Sequence, residues 1–123
     1  MDKEELKTRS KQMALRGIRL AMSLPKSNVS DVLGRQLIRS ATSVAANYRS
    51  ACKARSKADF ISKLGIVEEE VDETQFWLEL VVETGLVKAA RIQNLLDEVR
   101  QLGAIFAASR ITARRNRSLT QRA

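Results

Sequence analysis

The side chains of this chain best able to do chemistry are its arginines and lysines, and the chemistry they offer is the gripping of phosphate. Five of them, Arg35, Arg39, Arg49, Lys53 and Arg55, fall in one stretch, and Arg114, Arg115 and Arg117 cluster near the C-terminus. A guanidinium grips phosphate bidentately, whereas an ammonium acts as a point charge. The 123 residues hold 22 Lys and Arg against 14 Asp and Glu, a net charge of +8. Such an excess serves solubility, and it also attracts phosphate polymers or acidic partners. The aromatic residues Tyr48, Phe60, Phe76, Trp77 and Phe106 mostly fall on or near apolar faces, which argues against a base-stacking platform. No RNA-recognition, helix-turn-helix or zinc-finger signature is present. Nucleic-acid contacts, if made, would follow backbone and shape more than base sequence.

Catalytic chemistry is poorly supplied. The chain has no histidine, which removes the usual general base and the commonest metal ligand. The Glu-x-x-His pairs of di-iron bundles are therefore impossible. Glu69 and Glu73, four apart, could meet as paired carboxylates, but salt-bridged or solvated helix positions are the plainer reading. The five glycines are scattered and form no phosphate loop. Cys52 is the one cysteine, near the basic end of a predicted helix, and reads as a half-buried structural thiol. The expectation is a binding protein and not an enzyme, with no cofactor and no metal.

The elements that position these residues follow from hydrophobic spacing. Hydrophobic residues make up 44 %, and one Pro and five Gly leave too few turns for a β-sandwich or barrel. Leu6, Met13, Leu20 and Leu24 predict a helix over 2–24, widened by Ala14, Ile18 and Ala21 and stopped at Pro25. A second helix is predicted over 31–54, with Leu33, Leu37, Ala41, Val44, Tyr48 and Ala51 on one side. The third, over 57–84, has the cleanest seam: Phe60, Leu64, Val67, Val71, Thr74, Leu78 and Val81 alternate spacings of four and three. Ser56 and Asp59 imitate a capping box at its start, and Gly85 suits its end. A fourth helix is predicted over 88–112, with Ile92, Leu95, Leu96, Val99, Leu102 and Phe106 inward. Residues 113–123 form a basic C-terminal tail, either a frayed helical end or a disordered segment. Short connections between long helices imply an all-α, antiparallel up-and-down four-helix bundle in one domain. No apolar run is long enough to span a bilayer, and the charged N-terminus leads into no signal-peptide segment. A cytoplasmic location is expected.

Two features of the second and third helices bear on contacts. Gln36, Ser40, Ser43 and Asn47 share one face and form a polar row beside the apolar stripe. Such a row is either solvated or hydrogen-bonded across a helix or subunit contact. Charge is divided by helix as well. Residues 31–55 carry five cations against one acid, and residues 57–84 carry two cations against eight acids. The acidic third helix is therefore expected to face basic surface on another helix or another subunit.

The stretch Gln36-Leu37-Ile38-Arg39-Ser40-Ala41-Thr42-Ser43-Val44-Ala45-Ala46-Asn47-Tyr48-Arg49 resembles the signature of the four helix bundle protein family, also called the 23S rRNA-intervening-sequence or S23 family. The turn Arg55-Ser56-Lys57-Ala58-Asp59-Phe60 and the acidic run Glu69-Glu70-Val71-Asp72-Glu73-Thr74 match its later parts. The similarity covers Leu6 through about Arg114. One departure is that many members have Glu-Gly soon after the Asn, where this chain has Arg49-Ser50-Ala51. The resemblance implies a four-helix protomer that assembles into a homopentamer and has a link to RNA. A related branch, the accessory variability proteins of diversity-generating retroelements, uses a basic pentamer that binds a reverse transcriptase and nucleic acid. The leading expectation is thus a basic oligomeric module that binds RNA or DNA through phosphates. The alternative is a protein-interaction or purely structural bundle that never touches nucleic acid.

Overall fold

The computed structural model describes residues 1–122, with side chains through Leu119. Its four helices are α1 (Lys3–Ser23), α2 (Asn28–Cys52), α3 (Lys57–Glu83) and α4 (Ala89–Arg122). No strand occurs among the described residues. Each of the first three helices opens on a side-chain cap. Asp2, Ser27 and Ser56 accept hydrogen bonds from the backbone N–H groups of Glu5, Ser30 and Asp59. Such a cap satisfies a helix-end donor that would otherwise have no partner.

The boundaries explain themselves locally. Leu24, held extended at φ −67° and ψ 143° ahead of Pro25, ends α1. α2 starts three residues before the expected Asp31, because Ser27 supplies the cap and Ser30 is already inside the helix. At the end of α3, Gly85 takes φ +79°. Its N–H donates to the Val82 carbonyl and the Leu86 N–H donates to the Val81 carbonyl, the paired bonds of a Schellman turn. The largest difference is in α4. Of the two expectations for the basic segment from Ala113, a helical end or a disordered tail, the structure has the helix, which runs to Arg122, ten residues past the expected end of α4; Ala123 lies outside the described residues. At 34 residues the helix is about 51 Å long.

The helices pack in chain order as a ring of antiparallel neighbours. α1 lies on α2, α2 on α3 and α3 on α4, and a thinner α4–α1 contact closes the ring. Diagonal helices meet through side chains in the centre, where the Tyr48 and Phe106 rings stand 5.0 Å apart. One cluster runs through all four helices and holds Leu6, Met13, Leu37, Val44, Leu64, Val71, Leu78, Val99 and Leu102. The α3 seam is buried as its spacing predicts, apart from Phe60 at the margin, which is half-buried. Thr74, a polar residue of that seam, donates to the Ser40 hydroxyl at 3.0 Å or to the Glu70 carbonyl at 2.8 Å.

The interfaces are held in different ways. α1 and α2 approach closely over small residues: a Cβ added at Gly17 would stand 3.2 Å from that of Ala41. The other three neighbouring pairs are each tied by arginine. Arg9 pairs with Glu98 between α1 and α4, Arg39 with Glu70 and Glu73 between α2 and α3, and Arg110 with Glu68 between α3 and α4. The acidic third helix therefore meets basic side chains of both its neighbours. No described helix is long and apolar enough to cross a membrane.

Candidate nucleic-acid interface

Helical geometry decides where the basic residues point. Arg35, Arg39, Arg49 and Lys53 all lie within about 40° of one direction around the α2 axis, on the side away from the core. They are exposed. Arg35 and Lys53 are separated by roughly 27 Å along the helix. They occupy opposite ends of the bundle. Arg39 in the middle of this row is committed: it binds Glu70 at 3.2 Å, Glu73 and the Gln36 side chain. It is a clamp between helices and not a free phosphate contact.

The remaining candidates converge on the end formed by the α2–α3 turn, the last turns of α4 and the start of α1. Arg55 in the turn lines a groove of about 330 Å³ with Lys3, Lys57, Cys52, Ala113 and Asn116. Lys3 belongs to the first turn of α1, so the final turns of α4 project past that helix. Arg114, Arg115 and Arg117 sit on these last turns and are exposed, with Arg114 still alongside α3. Arg114 lines the neighbouring groove with Glu68, Glu69 and Arg110. Arg110 is bound to Glu68, whose hydrogen bond holds the guanidinium proton more firmly than usual. Arg49, Lys53, Arg55, Arg115 and Arg117 make no ion pair among the described residues.

Two further cations join Arg49 that sequence reasoning left aside. Lys7 and Lys11 of α1 line a shallow groove with Arg49, Thr8 and Glu4. Lys7 is paired with Glu4 at 2.6 Å, whereas Lys11 has no ion-pair partner among the described residues. Their spacing of four showed that they share a face of α1. It gave no sign that the face borders Arg49, because that depends on how α1 is rotated against α2.

The polar row divides. Ser40 is fully buried and is bonded to Thr74 of α3, inside the protomer. Asn47 donates to the Ser43 carbonyl and hydroxyl, both at 2.9 Å, and Gln36 accepts from Arg39. These three stay half-buried along the α2–α3 seam. Trp77 of α3 is half-buried, and its indole N–H is buried without a partner. Phe76 stands edge-on to it with centroids 5.0 Å apart. Phe76 is the one aromatic that is half exposed; Tyr48 and Phe106 are buried, and Phe60 and Trp77 are half-buried.

The groups weighed for catalysis are occupied or scattered. Glu73 is bound to Arg39, and Glu69 lines the Arg114 groove. Glu70, between them, has its carboxyl pushed above the ordinary range by burial and by Glu73, with Arg39 acting against that shift. Cys52 is a half-buried free thiol at the edge of the core. Burial also raises the Tyr48 hydroxyl, helped by the nearby Cys52.

Residues 3–108 match the family model described as 23S rRNA-intervening sequence protein. A crystal structure of a protein of unknown function from the S23 ribosomal protein family of Bacteroides thetaiotaomicron VPI-5482 is similar, with 31% identity and a TM-score of 0.81. The similarity covers 89% of this chain and 98% of that one. No curated protein matches. A family match over nearly the whole bundle, joined by a solved relative of the same shape, leads to one conclusion: the chain belongs to the 23S rRNA-intervening sequence protein family.

Proposed function

We propose that this protein is a non-catalytic, basic, oligomeric binding module of the cytoplasm that contacts RNA or DNA through phosphates. Service as an accessory to an RNA-handling enzyme such as a reverse transcriptase follows from the resemblance noted above. The observation that carries the reading is the basic end of the bundle. Arg114, Arg115 and Arg117 are exposed on the last turns of α4, whose Ala113 and Asn116 line one groove with Arg55 and Lys57; no acid lines that groove, while Arg114 borders Glu68 and Glu69 in the next. Like charges gathered this way repel one another, and a phosphate backbone relieves the repulsion while releasing its own counterions. Arg49, Lys53 and Lys11 continue the surface along α2 and α1. Arg39 is not part of it.

Fluorescence anisotropy with a labelled RNA duplex, repeated across a salt series, tests the reading. Log affinity should fall steeply with log salt. Replacing Arg114, Arg115 and Arg117 together by Ala should make the slope shallower by about 2 to 3, near 0.9 for each phosphate no longer neutralised. No binding at low salt, or binding indifferent to salt, overturns it. The alternative of a protein-interaction bundle is favoured by a different observation. Ile66 and Phe76 are exposed on the outer side of α3, where a second copy or another protein would cover them. Capture of partners from nuclease-treated lysate separates the two readings, because only protein-mediated association survives digestion.

A further inference from the structure

The opposite end of the bundle holds a second concentration of positive charge, built from residues outside the surface just described. Where the end of α1 meets the start of α4, Arg16, Arg19 and Arg91 line one notch of about 210 Å³. Leu20, Ile92 and Leu95 form its apolar floor, and Ser23 completes the rim. The thin α1–α4 contact leaves this notch open. Arg91 is already oriented, because it donates to the Ser23 hydroxyl at 2.9 Å, and that hydroxyl donates in turn to the Leu20 carbonyl at 2.8 Å. Arg16 is half-buried against the helices, which restricts its rotamers.

The charge in the notch is uncompensated. No carboxylate lines it, and the first turn of α4 contains no acid. The nearby Glu98 is spent on Arg9, and Asp97 accepts from Gln93. None of the three arginines has an ion-pair partner among the described residues. Elsewhere in this protein the interhelical arginines, Arg9, Arg39 and Arg110, each face a glutamate. Three guanidiniums sharing a small notch without an acid are an arrangement that an external anion would stabilise. Guanidiniums match the tetrahedral oxygens of phosphate in a planar, bidentate way. A notch of this size takes one phosphate group with little attached to it.

We propose that Arg16, Arg19 and Arg91 form a site for a phosphomonoester dianion. The group would be the terminal phosphate of a small phosphorylated ligand or the 5′-phosphate of a nucleic-acid strand. The site does not depend on the basic end formed by Arg55 and Arg114, and its test uses different residues. Phenyl phosphate is the probe for the dianion, and dimethyl phosphate stands in for the phosphodiester of a strand interior. Both are titrated calorimetrically into the full-length protein at low salt. Saturable binding of phenyl phosphate is expected, strengthening as pH rises from about 5 to 7 while the second phosphate proton leaves near 6. Dimethyl phosphate should bind at least about tenfold more weakly.

Arg19→Gln and Arg91→Gln, both at exposed positions, should each weaken phenyl phosphate about tenfold, the worth of one charge-assisted hydrogen bond. Circular dichroism confirms that the helices remain. Replacing Arg114, Arg115 and Arg117 by Ala should leave phenyl phosphate binding unchanged. Equal binding of the two probes, or wild-type affinity in both Gln variants, overturns the proposal. So does an absence of saturable binding. Oligonucleotides with 5′-phosphate or 5′-hydroxyl ends then assign the source. A gain from the 5′-phosphate that Arg91→Gln abolishes supports the site with a strand end as its ligand. Phenyl phosphate binding without such a gain supports it with a small ligand.

Discussion

Arginine has two jobs in this molecule, and its surroundings decide which. Arg39 shares a surface row with Arg35 and Arg49, yet its guanidinium is held by Glu70, Glu73 and Gln36. Glu70 sits in that cluster under opposing influences. Burial and the neighbouring Glu73 raise its carboxyl above the ordinary range, and Arg39 offsets the rise only in part. A carboxyl that binds its proton more tightly in the folded state favours folding below the unfolded value, about 4.3 for Glu. That advantage is lost as pH rises through the raised folded value. Glu70→Gln removes the dependence. The variant should gain stability relative to the parent as pH rises from about 4 towards neutrality, measured by urea denaturation at a series of pH values. A difference that stays constant with pH would show that Glu70 titrates normally.

At the scale of the element, helix ends are set by single residues. Ser27 and Ser56 begin α2 and α3, and Gly85 ends α3. At φ +79° a side chain would crowd its own backbone, so Gly85→Ala should destabilise the protein by about 1–2 kcal/mol. Chemical denaturation checks this, and a neutral result would mean that the turn can relax to a different closure. α4 shows the limit of such local signals. No proline or glycine follows Gly103, so nothing in the sequence stops the helix, yet the inward apolar spacing ends near Phe106. Basic composition left a frayed helical end and a disordered tail both open. The alanines and arginines from Ala107 to Arg115 are strong helix formers, and α3 flanks α4 past the Glu68–Arg110 pair to the grooves that hold Ala113, Arg114 and Asn116, so the helix continues.

At the scale of the whole molecule, the ring is uneven. α2 and α3 each have two well-packed neighbours, whereas α1 and α4 share a thin seam pinned by Arg9 and Glu98. Glu98 holds the Arg9 proton more firmly than usual through their hydrogen bond. Amide hydrogen exchange should therefore be slowest in the middles of α2 and α3, with α1 and α4 opening before global unfolding. Exchange slowest in α1 would contradict the uneven ring.

Periodicity alone determined that the chain forms four long helices and which side chains enter the core, because a 3.6-residue repeat puts every third or fourth residue on one face whatever lies opposite. The Gln36–Asn47 signature carried the family for the same reason: it is local. What lies across from each face is a matter of helix rotation and register, which arise from packing between segments far apart in sequence. Only the tertiary structure decided that Arg39 is spent on α3, that Ser40 meets Thr74, and that Arg16, Arg19 and Arg91 share one notch.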